Sequence, residues 1–271
     1  MRELTSVNNP IVKAAADLKQ KKHRTEQGTF LVEGLRSVEE AVRYGQVLQL
    51  FVLAGATAGA AGAGNKALAS QAEAAGAELY SVTEQVMKKI ADTATPQALA
   101  AIVAQPTAGL ANLSASETLL VLDRISDPGN LGTMLRTADA AGVDGVVLLA
   151  GCTDAFAPKA VRSTMGALLH LPVVEGVSEA EFIAWAQTSG LQLLVTCLQE
   201  AGSLYQTELQ GKLAVVIGSE AQGVSAGLLA AAAQKVYIPM AGKAESLNAA
   251  VAAGVVLFEC QRQRLAGNGK L

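Results

Sequence analysis

Four short stretches of the chain are apolar without interruption: Leu119–Leu122, Val146–Leu149, Leu193–Val195 and Ala214–Ile217. A strand with one wet face alternates apolar and polar residues, whereas a strand covered by helices on both faces does not, so these runs read as strands of a parallel sheet. Around them the second half of the chain alternates between the two periods. Strands are predicted at 118–123, 145–149, 171–174, 192–197, 213–218 and 235–238, and helices at 131–142, 158–167, 179–189, 225–233 and 246–265. Alternation at this spacing implies a mostly parallel sheet with helices on both faces.

The first half is a smaller α/β unit. Asn9-Pro10 is a helix start, with Asn as N-cap and Pro at the first helical position, and the helix is expected to run to about Arg24. A strand at Thr29–Glu33 follows, then a helix opened by Gly34 from Leu35 to about Tyr44. A strand at Leu48–Leu53, a helix at 65–75, a strand at 77–82, a helix capped by Thr83 and a strand at about 98–104 complete it. Residues 54–64 are Ala, Gly and Thr only, with no side chain to anchor them, and read as a flexible loop. Residues 106–116 are rich in turn formers and lack apolar periodicity. The expected organisation is therefore a domain at 1–105, a linker at 106–116 and a second domain at 117–271, a division that suits 271 residues.

Composition narrows the picture. The chain is 51% hydrophobic but 4% aromatic, so its cores are built from Ala, Val and Leu. No apolar run approaches the roughly 18 residues of a membrane span, and Met1-Arg2-Glu3 opens no signal peptide, which points to the cytoplasm and to no membrane partner. Cys152, Cys197 and Cys260 are odd in number and lack CxxC spacing, and His23 and His170 are the only histidines. No disulfide framework, metal site or Ser-His-Asp triad follows from them. The net charge of −3 is unevenly spread: residues 1–24 carry six basic against two acidic side chains, and residues 111–271 carry ten against fourteen. Lys19, Lys21, Lys22 and Arg24 are the densest basic cluster, either a contact to nucleic-acid phosphates or a solvated helix face.

Three segments carry candidate chemistry, each where a predicted strand has just ended, which is where open α/β sheets place ligands. The first is Asp127-Pro128-Gly129-Asn130-Leu131-Gly132-Thr133-Met134-Leu135-Arg136, the second Gly218-Ser219-Glu220-Ala221-Gln222-Gly223. The third runs from Ile238-Pro239-Met240 to Ser246-Leu247-Asn248. Asn130 stands just before a predicted helix and Ser246 just before the last one, so each is placed to cap. Leu131, Leu135 and Ala138 would turn one face of the first helix inward, with Thr133, Arg136 and Thr137 on another. Gly242-Lys243 does not complete a P-loop, because Tyr237 stands at its first glycine position and Ala244 replaces Ser/Thr.

In order and spacing these segments resemble the SpoU/TrmH branch of the SPOUT superfamily of RNA methyltransferases. The resemblance covers roughly 117–265, with a looser likeness at 1–45 to the accessory RNA-binding domain of many members. It rests on Asn130, Gly132 and Arg136, on Gly218, Ser219, Glu220 and Gly223, and on Ile238-Pro239-Met240 with Ser246-Leu247-Asn248. Ala221 departs from it, standing where many relatives have glycine. The resemblance implies S-adenosylmethionine as cofactor, held around Gly218, Ile238 and Leu247 with Met240 nearby and Thr196 counted among the contacts. It implies Asn130, Arg136, Glu220, Ser246 and Asn248 as catalytic residues, and a knotted (trefoil) catalytic domain that dimerises. Glu220 would hold Arg136 or orient the hydroxyl, and Arg136, thought in relatives to deprotonate the ribose 2′-hydroxyl, would on physical grounds act through its charge, since a guanidinium stays protonated. The implied activity is ribose 2′-O-methylation of ribosomal RNA, with transfer RNA as the alternative substrate. A non-catalytic RNA-binding protein is a further alternative, and a dinucleotide oxidoreductase is disfavoured by the lack of Gly-x-Gly-x-x-Gly after an early strand.

Overall fold

The computed structural model describes residues 1–59, 62–267 and 269. Its contacts divide into two units, Met1–Pro106 with Phe156–His170, and Thr107–Ala155 with Leu171–Leu271. In chain order the first holds β1 (Arg2–Leu4), α1 (Pro10–Asp17), α2 (Lys21–Gln27), β2 (Thr29–Glu33), α3 (Leu35–Tyr44), β3 (Val47–Leu53), α4 (Ala63–Ala74), β4 (Glu78–Val82), α5 (Glu84–Ile90) and β5 (Leu99–Ala104). The strands form one sheet in the order β1-β4-β3-β5-β2. β5 is antiparallel to both β2 and β3, while β4 is parallel to β1 and β3. Leu18, Phe51, Met87 and Ile90 are wholly buried in its core.

The helix expected from Asn9-Pro10 to Arg24 is two helices. Asn9 Oδ1 accepts from the Ile11 amide at 2.9 Å, as an N-cap should. The chain then breaks after Asp17, because Leu18 turns into the core, and restarts at Lys21. Arg24 fastens the break: its Nη1 donates to the Leu18 carbonyl at 2.7 Å and the residue is 3% exposed. The stretch 54–64 is also partly ordered against expectation. Asn65 Nδ2, one residue beyond it, donates to the Ala56 carbonyl at 2.8 Å, and α4 begins at Ala63. Residues 60 and 61 of that stretch lie outside the described residues.

The second unit holds β6 (Thr118–Asp123), α6 (Pro128–Ala140) and β7 (Gly145–Leu149). After α7 (Pro158–Thr164) come β8 (Val173–Val177), α8 (Glu179–Thr188), β9 (Gln192–Thr196), β10 (Gly202–Ser203), β11 (Leu213–Gly218), α9 (Ala226–Ala231), β12 (Gln234–Tyr237) and α10 (Ala249–Gly267). Its seven strands lie in the order β10-β12-β9-β11-β6-β7-β8, and every neighbouring pair is parallel. The four continuous apolar runs are β9, β11, β6 and β7, the adjacent inner strands, and β6 and β7 are buried at every position.

Two boundaries differ from the sequence reading. Leu113, inside the expected linker, is 1% exposed in the core of the second unit, carried there by a short 3-10 turn at Leu110–Leu113. The segment Phe156–His170, expected in the second domain, belongs to the first unit. Phe156 sets its ring 5.1 Å from that of Phe30, and Arg162 Nη1 donates to Asp92 Oδ2 at 2.8 Å. Among the described residues no helix is long and apolar enough to cross a membrane.

Candidate functional site

At the C-terminal ends of β9, β11 and β12 the second unit opens into a cavity of about 620 Å³. Thr196, Ile217, Gly218, Val236, Ile238, Met240 and Leu247 line it, with Ser219, Glu220 and Ser246 supplying polar groups. All five residues expected at the cofactor thus face one space, as do Glu220 and Ser246 of the expected catalytic set. A largely apolar cleft with a few convergent polar groups is the usual form of a small-molecule site.

The second motif is a tight loop closed on itself. Ser219 and Gly223 form an antiparallel bridge, with the Gly223 amide donating to the Ser219 carbonyl at 2.8 Å. A side chain on Gly218 would run into the Gly223 carbonyl, so only glycine fits there. The left-handed conformation the loop needs falls on Gly223 at φ 65°, and not on Ala221. Ala221 therefore meets no backbone demand that its Cβ would resist.

All three motifs meet at Glu220. Its Oε1 accepts from Asn130 Nδ2 at 3.2 Å, from Asn248 Nδ2 at 2.7 Å and from the Ala249 amide at 3.1 Å. Asn248 Nδ2 also donates to Asn130 Oδ1 at 3.1 Å. The orientation of Asn248 is forced, since its Oδ1 caps α10 by accepting from the amides of Ala250 and Val251 at 3.0 and 3.3 Å. That leaves its amide nitrogen to face the carboxylate. A carboxylate at a helix N-terminus is also favoured by the helix dipole.

The caps are not where the sequence put them. Asp127 caps α6, its Oδ1 accepting from the Asn130 amide at 2.8 Å, with Pro128 as the first helical residue. Asn130 is therefore inside the helix and its side chain is released for Glu220. Asn248 rather than Ser246 caps α10, so Ser246 is left to line the cavity.

Arg136 lies on the exposed side of α6, opposite the fully buried Leu131, Leu135 and Ala138. No other described residue bonds it, and the hydrogen bonds of Glu220 go to Asn130, Asn248 and Ala249, not to Arg136. In the basic cluster, Lys19 Nζ donates to the Lys89 carbonyl at 2.9 Å, Lys22 lies 3.9 Å from Glu26, and Lys21 is exposed. Arg24 drops out as a phosphate contact because it is buried and committed to Leu18.

Sequence reasoning missed a second arginine. Arg124, at φ 56°, lies against the buried Asp123 through Nε and Nη2 at 3.0 and 3.1 Å, and it also bonds Gln222 and Gly223 in the second motif. The signal available was Asp123-Arg124 directly after an apolar strand, a buried-carboxylate pattern with no apolar role. Among the described residues no group of three His, Cys, Asp or Glu could hold a metal ion. Burial raises the Cys152 and Cys197 thiols above their ordinary pKa and takes Cys260 to about 11.

A parallel sheet with a cavity of ligand size at its strand ends, and polar side chains from three loops beside it, is the form of an α/β domain that binds a small molecule there. The chain belongs to the SpoU rRNA methylase family, whose model matches residues 117–258, and residues 9–101 match the MRM3-like substrate-binding domain. It is 35% identical over 258 residues to the 23S rRNA (guanosine(2553)-2′-O)-methyltransferase RlmP of Bacillus subtilis, covering 95% of this chain and 98% of that one. It is 30% identical to the 23S rRNA (uridine(2479)-2′-O)-methyltransferase of Streptomyces viridochromogenes, over 98% of this chain and 94% of that one. The AdoMet-bound crystal structure of an rRNA methyltransferase from Sinorhizobium meliloti is similar with a TM-score of 0.87 at 34% identity, covering 96% of this chain and 97% of that chain.

Proposed function

We propose that this protein transfers a methyl group from S-adenosylmethionine to a ribose 2′-hydroxyl of ribosomal RNA. The observation that carries the reading is the meeting of Asn130, Glu220 and Asn248, one residue from each motif, beside the cavity. The activities of the relatives from Bacillus and Streptomyces, both on 23S rRNA, favour ribosomal over transfer RNA. The cavity fits the cofactor in size and chemistry: apolar walls at Ile217, Val236, Ile238 and Leu247 suit an adenine, and Gly218 lines the space beside them. Thr196 and Met240 would complete that contact. When bound, the cofactor supplies an electrophilic methyl group on sulfur.

The chain's own residues position the nucleophile. Asn130 and Asn248, locked by Glu220, present polar groups of fixed orientation at the site, and Ser246 adds a hydroxyl from the cavity wall. Arg136, exposed and without a bonded partner among the described residues, is available to an RNA phosphate and to the alkoxide character that develops as the hydroxyl attacks. Arginine side chains are not bases in proteins, so its part is electrostatic. Catalysis of this kind is mainly positioning and charge stabilisation.

Residues 1–105 would bind the RNA, with Lys19, Lys21 and Lys22 as phosphate contacts, while 117–271 would carry catalysis and the trefoil knot of the family. Val251 and Phe258, seven residues apart on α10 and 53% and 47% exposed, offer an apolar strip to a second copy of the chain. We read the protein as a homodimer that acts in the cytoplasm. The test is transfer of labelled methyl from S-adenosylmethionine to rRNA from cells lacking the protein, with the 2′-O-methylated nucleotide mapped. One new ribose mark on rRNA is expected. Labelling of a base, or of transfer RNA alone, would overturn the reading.

A further inference from the structure

The geometry assigns Arg124 as a positioning residue that sets the catalytic carboxylate of Glu220 by clamping the loop that carries it. This rests on the proposed role of Glu220 in methyl transfer. Four hydrogen bonds carry the assignment. Arg124 Nε and Nη2 bond the two oxygens of Asp123 at 3.0 and 3.1 Å, Nη1 donates to Gln222 Oε1 at 2.8 Å, and Nη2 donates to the Gly223 carbonyl at 3.2 Å. One planar group thus ties the end of β6 to the closing residues of the 219–223 loop, a task its fork suits and a single ammonium does not.

The clamp is braced on both sides. Asp123 is 3% exposed, and its Oδ2 also accepts from the Ser225 amide at 2.8 Å, which pins the far end of the same loop. Behind the turn, the Ile125 amide donates to Cys152 Sγ at 3.3 Å, the Cys152 thiol donates to the Leu122 carbonyl at 3.2 Å, and the Thr153 amide donates to the Ile125 carbonyl at 2.8 Å. Arg124 itself sits at φ 56°, a conformation that non-glycine residues hold only when their surroundings impose it. The turn is bent to aim the side chain at the loop. The loop in turn delivers Glu220 to the two asparagines.

Arg124 does not itself line the cavity but its partners Gln222 and Gly223 do, so an effect carried by Glu220 is one that slows transfer while S-adenosylmethionine affinity stays unmoved. The test is a double-mutant cycle in the full-length protein with rRNA from cells lacking it, read as single-turnover methyl transfer and as calorimetric affinity for S-adenosylmethionine. The proposed role of Glu220 is tested first by Glu220→Gln, which should slow transfer at least tenfold; wild-type rates in that variant would remove the premise of the clamp and leave methyl transfer itself standing. Arg124→Ala should slow transfer by about 10–100-fold, the range for a misplaced catalytic group, Arg124→Lys should recover only part, and added guanidinium should rescue the alanine variant. Arg124→Ala on top of Glu220→Gln should cost less than threefold more. Multiplicative losses in the double variant, or a wild-type rate in Arg124→Ala, would overturn the clamp. If Arg124→Ala does not fold, Arg124→Lys, which keeps the charge and loses the fork, takes its place in the cycle with the same two outcomes.

Discussion

Removing the Arg136 side chain should separate stability from activity more cleanly than any other change in this site. The residue is exposed on α6 and bonds no other described residue, so Arg136→Ala deletes no hydrogen bond or ion pair among them. Surface substitutions of that kind fall within about ±0.5 kcal/mol, and alanine, the best helix former, offsets part of any loss. For a chain of this size such a change moves the midpoint by no more than about 2 °C. The rate should fall by about 10²–10³, close to 2.7–4 kcal/mol, the typical cost of one electrostatic donor aimed at charge that develops in the transition state. Thermal unfolding and single-turnover methyl transfer on the same preparation make the comparison. The pH–rate profile of Arg136→Lys refines it. A charge-only role keeps part of the activity with a profile like wild type, whereas a steep alkaline rise found only in the lysine variant would mean that the position supplies the base. Wild-type rates in Arg136→Ala would refute the argument outright, and a large fall in midpoint would show that the arginine holds the fold.

Three further outcomes follow from the structure. Lys19, Lys21 and Lys22 changed together to Gln should lower the salt dependence of RNA affinity by roughly 0.7–0.9 in log–log slope per lost contact, with cofactor affinity unmoved; an unchanged slope would make them a solvated face. Cys197 lines the cavity and is less buried than Cys152 and Cys260, so an alkylating reagent should modify it first, and saturating S-adenosylmethionine should protect it; labelling indifferent to cofactor would empty that wall of the site. The hydrogen bonds from Arg262, at 2.7 and 2.8 Å, hold the Glu259 carboxyl below its usual pKa against the opposing effect of burial. Because the folded pKa is depressed, the contribution of Glu259 is complete above about pH 4.3, the ordinary glutamate value, and is lost as pH falls through the lowered one. Urea titrations of wild type and Glu259→Gln should therefore converge on acidification; a gap that is constant with pH would contradict the linkage.

The sequence by itself determined the elements that local and nearest-face physics decide. Burial on both faces leaves a continuous apolar run, so β6, β7, β9 and β11 were legible as inner strands of a parallel sheet, and they are adjacent in it. Glu220, Ser246 and the residues expected at the cofactor were named through the resemblance of their motifs to the family, and they line one cavity. Only the tertiary structure decided which side chains those motifs spend on folding and which on the site. Asp127 takes the cap of α6 and frees Asn130, which then meets Glu220 across 90 positions of sequence, while Asn248 meets Asn130 across 118. Arg24 and Arg124 make the same point from opposite directions. One looked like a phosphate contact and is buried against a carbonyl, and the other carried no motif yet clamps the loop of Glu220. Local sequence sets backbone propensity and the burial of a run, but a long polar side chain takes its partner from whatever the sheet order brings within 3 Å. In this protein the order β9-β11-β6 brings together segments about 20 to 100 residues apart, and no window of neighbouring residues contains that information.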